Sequence, residues 1–217
     1  TVFPVDVPYA ESREPLKFAR HNFIDEHVVA RWQRLGLVPS KDCDDYEFIR
    51  RVYLDAIGTL PTPEAIKAFA ASTDHQKRKQ LVDEVLNRPE YADYWTLKWA
   101  DLLRNNSQRL QAKGMWSFHL WIRAQMRDNR PLDEFVRSIL TAQGSTYSNG
   151  PANFFRVANN ALDRAEAVAQ TFLGIRMQCA RCHHHPFEKW SQDDYYGLAA
   201  FFARVNTKTS QEFGLFG

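Results

Sequence analysis

Apolar residues recur at three- and four-residue steps along most of the chain, the spacing of amphipathic helices, and no segment of four or more residues reads convincingly as a strand. From about Phe18 the pattern Phe23, Ile24, His27, Val28, Ala30, Trp32, Leu35 predicts a helix that stops at Gly36-Leu37-Val38-Pro39. Asp44 or Asp45 opens a second helix through Phe48, Val52, Tyr53, Ala56 and Ile57, ended by Gly58. Thr62-Pro63-Glu64 is a start signal with a capping hydroxyl, a first-turn proline and a first-turn acid, and predicts a helix to about Ala71. Further helices are expected from Asp74 to Arg88, from Glu90 through Leu103, from Met115 past Met126, from Pro131 to Leu140 and from Ala161 to Gln178. Ser191 caps a closing helix that carries Tyr195, Tyr196, Leu198, Phe201 and Phe202. Asn105 to Gly114 and Gln143 to Asn153 are polar and read as loops. The expected fold class is therefore all-α, an irregular multi-helix bundle with an extended N-terminal arm and long loops.

Residues 1–17 carry three prolines and little periodicity and read as the arm; residues 18–205 form the helical body; residues 206–217 are a polar tail. The chain opens on Thr1 with neither Met nor a charged-then-apolar leader, so it reads as a mature or trimmed chain, and the tail as a truncation point within a larger protein. With 217 residues and a formal charge of +2, nothing argues for a nucleic-acid partner, and no apolar run is long enough to span a bilayer. Aromatics, at 13%, supply large core knobs and would also line a haem pocket.

Chemistry concentrates in Cys179-Ala180-Arg181-Cys182-His183-His184-His185-Pro186-Phe187, which holds two of the three cysteines. Cys-x-x-Cys-His is the attachment signal for c-type haem. Two thiols within one turn reach the two vinyl groups of one macrocycle, and the next residue lies under the iron, so His183 is the expected proximal ligand. Two other chemistries stay open. Cys179 and Cys182 with two histidines would make a tetrahedral zinc site, and Cys-x-x-Cys alone serves as a redox pair. Cys43 reads as a lone loop residue. For the far face of a haem, Met115, His119 and Met126 are the distal candidates, with an open position as the alternative.

Several phrases together resemble one family: Ile24-Asp25-Glu26-His27-Val28, Arg50 to Gly58 with Leu60-Pro61-Thr62-Pro63-Glu64, Trp99-Ala100-Asp101-Leu102-Leu103-Arg104, Phe172-Leu173-Gly174 through Phe187, and Asp193-Asp194-Tyr195-Tyr196. From about residue 20 to 205 the chain is similar to domain-of-unknown-function family 1549, found in exported planctomycete-type cytochrome c proteins. The resemblance implies one domain of a large exported protein with Cys179, Cys182 and His183 as haem residues. His185 matches the second histidine of the family's Cys-His-x-His phrase, while His184 stands where an Asp or Asn is expected, which favours a metal-binding triplet. Trp99, Arg104 and Arg156 match family phrases too, and an arginine beside a haem propionate or a Trp on the ring edge would suit a pocket.

Three functions follow. The first is a covalent haem c domain passing electrons to a redox partner protein or to adjoining domains, in an exported, periplasmic or cell-surface protein. The second is a haem enzyme with an open distal site, peroxidase- or dehydrogenase-like. The third is a non-enzymatic helical module with a Cys/His zinc site.

Overall fold

Caps and breakers in the sequence coincide with the element ends in the computed structural model, which describes residues 7–9 and 16–207. Most of the expected arm (residues 1–6 and 10–15) and of the polar tail (208–217) lies outside the described residues. The chain divides into two units, Thr1–Asp44 and Asp45–Gly217.

In the first unit, α1 (Phe23–Leu35) starts at a capping box: Asn22 accepts from the N–H groups of Ile24 and Asp25, and the Asp25 carboxylate accepts from the Asn22 N–H. Gly36, at φ 66°, takes the left-handed turn that ends it, and the Leu37 N–H returns to the Trp32 carbonyl at 2.9 Å. Phe18 meets Trp32 edge-on at 5.4 Å, and the Tyr9 N–H donates to the Leu35 carbonyl at 2.8 Å.

The second unit is all helix and turn among its described residues: α2 (Asp45–Ile57), α3 (Pro63–Ala71), α4 (Lys77–Leu86), α5 (Pro89–Leu102), α6 (Ser107–Arg127), α7 (Leu132–Leu140), α8 (Phe154–Val157), α9 (Ala161–Phe172) and α10 (Gln192–Ala200), with 3-10 turns at Gly150–Asn153 and Gln178–Arg181. Helix α2 packs on α3, α4 and α5 over a core of Ile49, Tyr53, Ile57, Phe69, Leu81 and Val85. Helix α5 then packs along α6, which seats the first 3-10 turn and α8. The larger core lies there, with Leu110, Phe118, Ile122, Phe135, Ile139 and Phe154 all buried. Burying each such side chain contributes roughly 1.5–3 kcal/mol. A third, small cluster joins Ala169 of α9, Met177 just before the second turn, Ala180 within it, and Tyr195 of α10.

The structure corrects three expected boundaries. Asn105 to Gly114 is not a loop: Asn106 accepts from the Arg109 N–H at 3.0 Å and starts α6 early, with Leu110 fully buried. The polar residues there cover a solvent face. The helix is interrupted at Gln111, whose φ of 59° and ψ of 168° join two helical pieces across a kink. Helix α9 stops at Phe172, short of Gln178, because Gly174 (φ 66°) turns the chain and the Ile175 N–H bonds back to Ala169 at 2.9 Å. The 143–153 segment ends in a buried turn, because Gly150 lies where a Cβ would stand 2.6 Å from the Ser117 carbonyl oxygen and 2.7 Å from Trp121 Cβ on α6.

Arg164 of α9 sits inside this second unit at 2% exposure. Its guanidinium donates to four carbonyls: Val205 at 2.7 Å, Ala158 at 2.8 Å, Asn159 at 3.2 Å and Phe155 at 3.4 Å. Burial pushes its pKa below the usual arginine value. The side chain thus pins the turn before α9 and the segment after α10 to one helix.

Candidate functional site

The Cys-x-x-Cys phrase begins on the second 3-10 turn, with Cys182 directly after it, and is separated from α9, which was expected to run into it, by the 173–177 segment. Its inner residues, Met177 and Ala180, are buried against α9 and α10, which turns Cys179, Cys182 and His183 outward, all exposed. Neither thiol is in a disulfide. The turn is tight: the N–H groups of Cys182 and His183 both donate to the Cys179 carbonyl at 3.3 Å.

Its position is set from below by residues that sequence reasoning passed over. Arg181, between the cysteines, has its guanidinium 3.7 Å from the Glu166 carboxylate of α9. The buried Tyr195 hydroxyl donates to the same carboxylate oxygen at 2.6 Å. The Arg181 carbonyl accepts from the Tyr196 hydroxyl at 3.1 Å and from Gln192 at 3.4 Å, both on α10. Burial, and next the bond to Glu166, push the Tyr195 phenol far above its ordinary range. No spacing in the sequence pairs Glu166 with Tyr195, twenty-nine residues on.

The three consecutive histidines do different things. His183 Nδ1 lies 2.7 Å from the His184 carbonyl oxygen, which only accepts, so Nδ1 carries the proton and in the neutral ring Nε2 keeps its lone pair. His184 Nδ1 accepts the Gln192 N–H at 3.2 Å. His185 Nδ1 accepts the N–H groups of Phe187 at 3.3 Å and Glu188 at 3.0 Å, while the His185 backbone N–H donates to the Trp190 carbonyl at 2.8 Å. His185 thereby closes the 185–190 loop from inside. In neutral His184 and His185 the ring proton sits on Nε2 and the lone pair is already engaged. A ring whose Nδ1–H is held by a backbone carbonyl is the arrangement typical of metal-ligating histidine. Of the triplet, only His183 has it.

Donor chemistry at this turn therefore fits a haem: two exposed thiols in one turn, followed by an imidazole with a free, oriented nitrogen. It does not fit a tetrahedral zinc site as it stands, since His184 or His185 would first give up backbone hydrogen bonds. Among the described residues no group of three or more His, Cys, Asp and Glu side chains is arranged to hold a metal ion.

The other candidates are placed elsewhere. Met115 and Met126 pack against the larger core, and His119 meets Trp116 edge-on at 5.3 Å. All three ride on α6, whose main neighbours are α5, the first 3-10 turn and α8, whereas the cysteine turn packs on α10. Trp99 lies between Phe135, at 5.0 Å, and Phe172, at 6.5 Å. Arg104 is exposed just after α5 at φ 54°. Arg156 donates to the Leu110 carbonyl and to Asn153. Cys43, half-buried, belongs to the other unit.

The class defined by this fold is an all-α domain displaying a Cys-x-x-Cys-His turn on its surface. The chain belongs to the DUF1549 family, whose model, described as PSCyt2, protein of unknown function, matches residues 23–207. No curated protein and no solved structure matches it.

Proposed function

We propose that the chain is a covalent c-type haem domain that transfers electrons within a larger exported protein, to a redox partner or an adjoining domain. The observation that carries this reading is the division of labour among the histidines: a haem needs one histidine directly after the second cysteine, and His183 alone has a nitrogen to offer. Cys179 and Cys182 would each form one thioether by adding S–H across a vinyl group, a step without net oxidation. The exposure of both thiols leaves room for that, and Phe187, 77% exposed in the loop that follows, offers apolar surface. Haem bound here would supply one-electron exchange. The chain's own part is to hold His183 by the His184 carbonyl and to anchor the turn through Arg181, Glu166 and Tyr195. Covalent attachment takes place outside the bacterial cytoplasm, hence the exported location in the proposal.

The test is the oxidised and reduced absorption spectrum, with intact mass, of protein exported in a host that attaches haem. A Soret band and a mass gain of one haem are expected. His183→Ala should change the spectrum, whereas His185→Ala should leave it intact and loosen only the following loop. A colourless protein of unmodified mass would sink the proposal.

A further inference from the structure

Away from the cysteine turn, the second unit contains a half-open cavity of about 890 Å³, between the two ends of the 140–147 segment, the kink of α6 and the stretch after α10. That volume is within the range of small-molecule sites. Its charge is one-sided: Arg109, Arg156 and Arg204 line it, and among the described residues no Asp or Glu does. Among the described residues none of the three forms an ion pair; Arg109 and Arg156 donate only to the carbonyls of Val157 and Leu110 and to the Asn153 amide oxygen.

Two further features point the same way. The buried guanidinium of Arg164 is tied to the carbonyls of Phe155, Asn159 and Val205, three residues of the cavity wall, so a fourth positive charge lies behind it with no carboxylate among the described residues bonded to it. Buried charge of one sign is costly and is ordinarily offset by a counter-charge. Gln111, also on the wall, holds a φ of 59° and ψ of 168°, a conformation essentially confined to glycine. Strain of that kind persists where the surroundings over-determine it, and this kink lies two residues after Arg109 on the cavity wall.

We infer that this cavity binds a small organic oxyanion, a molecule bearing carboxylate, sulfate or phosphate groups, clamped by Arg109, Arg156 and Arg204. Guanidinium forks suit such planar or tetrahedral oxyanions, and the wall's Gln143, Thr146 and Asn159 supply amide and hydroxyl groups for the remainder of the ligand. The ligand is separate from the haem proposed above, because no residue of the 178–191 stretch lines the cavity.

The experiment is calorimetric titration of the full chain with citrate, sulfate and inorganic phosphate against chloride at matched ionic strength. It is run on wild type, on an Arg109→Gln/Arg204→Gln pair, on Arg127→Gln, and on a Cys179→Ser/Cys182→Ser chain that cannot attach haem. Saturable one-to-one binding of at least one oxyanion is expected, weakened at least tenfold in the paired variant and unchanged in Arg127→Gln and in the thiol-free chain. Circular dichroism of the paired variant should match wild type, since among the described residues the Arg204 side chain makes no hydrogen bond or ion pair and Arg109 only a long one. Absence of saturable binding by any of the three probes, or equal binding by the paired variant, overturns the inference. Binding by the thiol-free chain that is absent from the haem-loaded wild type would show the cavity to serve the haem's own carboxylates, and would equally overturn it.

Discussion

Arg164→Met removes the cation that ties the second unit together, and the sign of its effect depends on which of two terms is larger. Relieving a buried guanidinium of its desolvation favours the variant, and pushes the same way as the lowered pKa of Arg164. Against this stand the carbonyls left bare: Val205 and Ala158 lose bonds of 2.7 and 2.8 Å, and Asn159 and Phe155 lose longer ones. An orphaned buried acceptor costs about 1–3 kcal/mol, so the two short bonds alone are worth about 2–6 kcal/mol. Methionine fills the aliphatic volume but accepts no such duty. With part of the loss offset by desolvation, a net destabilisation of about 3 kcal/mol is expected. For a domain of this size that lowers Tm by about 6–12 °C. Urea unfolding followed by tryptophan fluorescence measures it directly, with wild type and Arg164→Lys alongside. The lysine variant keeps the charge but has only three donors and no planar fork, so it should fall between the two. If Arg164→Met changes stability by less than about 1 kcal/mol, or Arg164→Lys equals wild type, the guanidinium is not the tie described here.

Two glycines should respond with opposite signs. Gly150→Ala places a Cβ against the Ser117 carbonyl and Trp121 and should destabilise by about 1–3 kcal/mol, whereas Gly197→Ala, in α10 with nothing within 4 Å of the new methyl, should stabilise by up to about 1 kcal/mol; thermal shifts of the same sign would refute this packing. At acid pH, Asp45 is the group to follow. Hydrogen bonds from Lys77, at 2.6 Å, and Arg78, at 2.8 Å, hold its pKa below the ordinary value, so the stability it contributes is present above the usual carboxylate range and is lost as pH falls through the lowered pKa. Asp45→Asn should therefore flatten the acid limb of the stability profile, and an unchanged limb would contradict the pairing. At alkaline pH the direction is reversed: the raised Tyr195 pKa makes the folded chain retain a proton that the unfolded chain releases from about pH 10, so stability declines above that point and Tyr195→Phe should flatten the decline. A decline equally steep in Tyr195→Phe would assign it to another group.

Helix content and most helix starts were legible along the chain because they depend on local physics. Thr62-Pro63-Glu64 and Ser191 with Asp194 are caps whose donors and acceptors lie within three residues, and both helices begin where those signals stand. The misjudged segments are those in which distant contacts overrode local polarity. Residues 107–114 join α6 because Leu110 finds a core, and Gly150 is needed because α6 presses against it from some thirty residues earlier in the chain. At the cysteine turn, the sequence alone determined which atoms are available: two thiols three positions apart and an imidazole after them. Only the tertiary structure decided which histidine keeps a free nitrogen, since that depends on where backbone N–H groups of Phe187, Glu188 and Gln192 come to lie. Likewise, only folding gathered Arg109, Arg156 and Arg204 around one cavity. Local backbone preference decays within a few residues, while the placement of charges and lone pairs is set by packing between helices far apart in the chain.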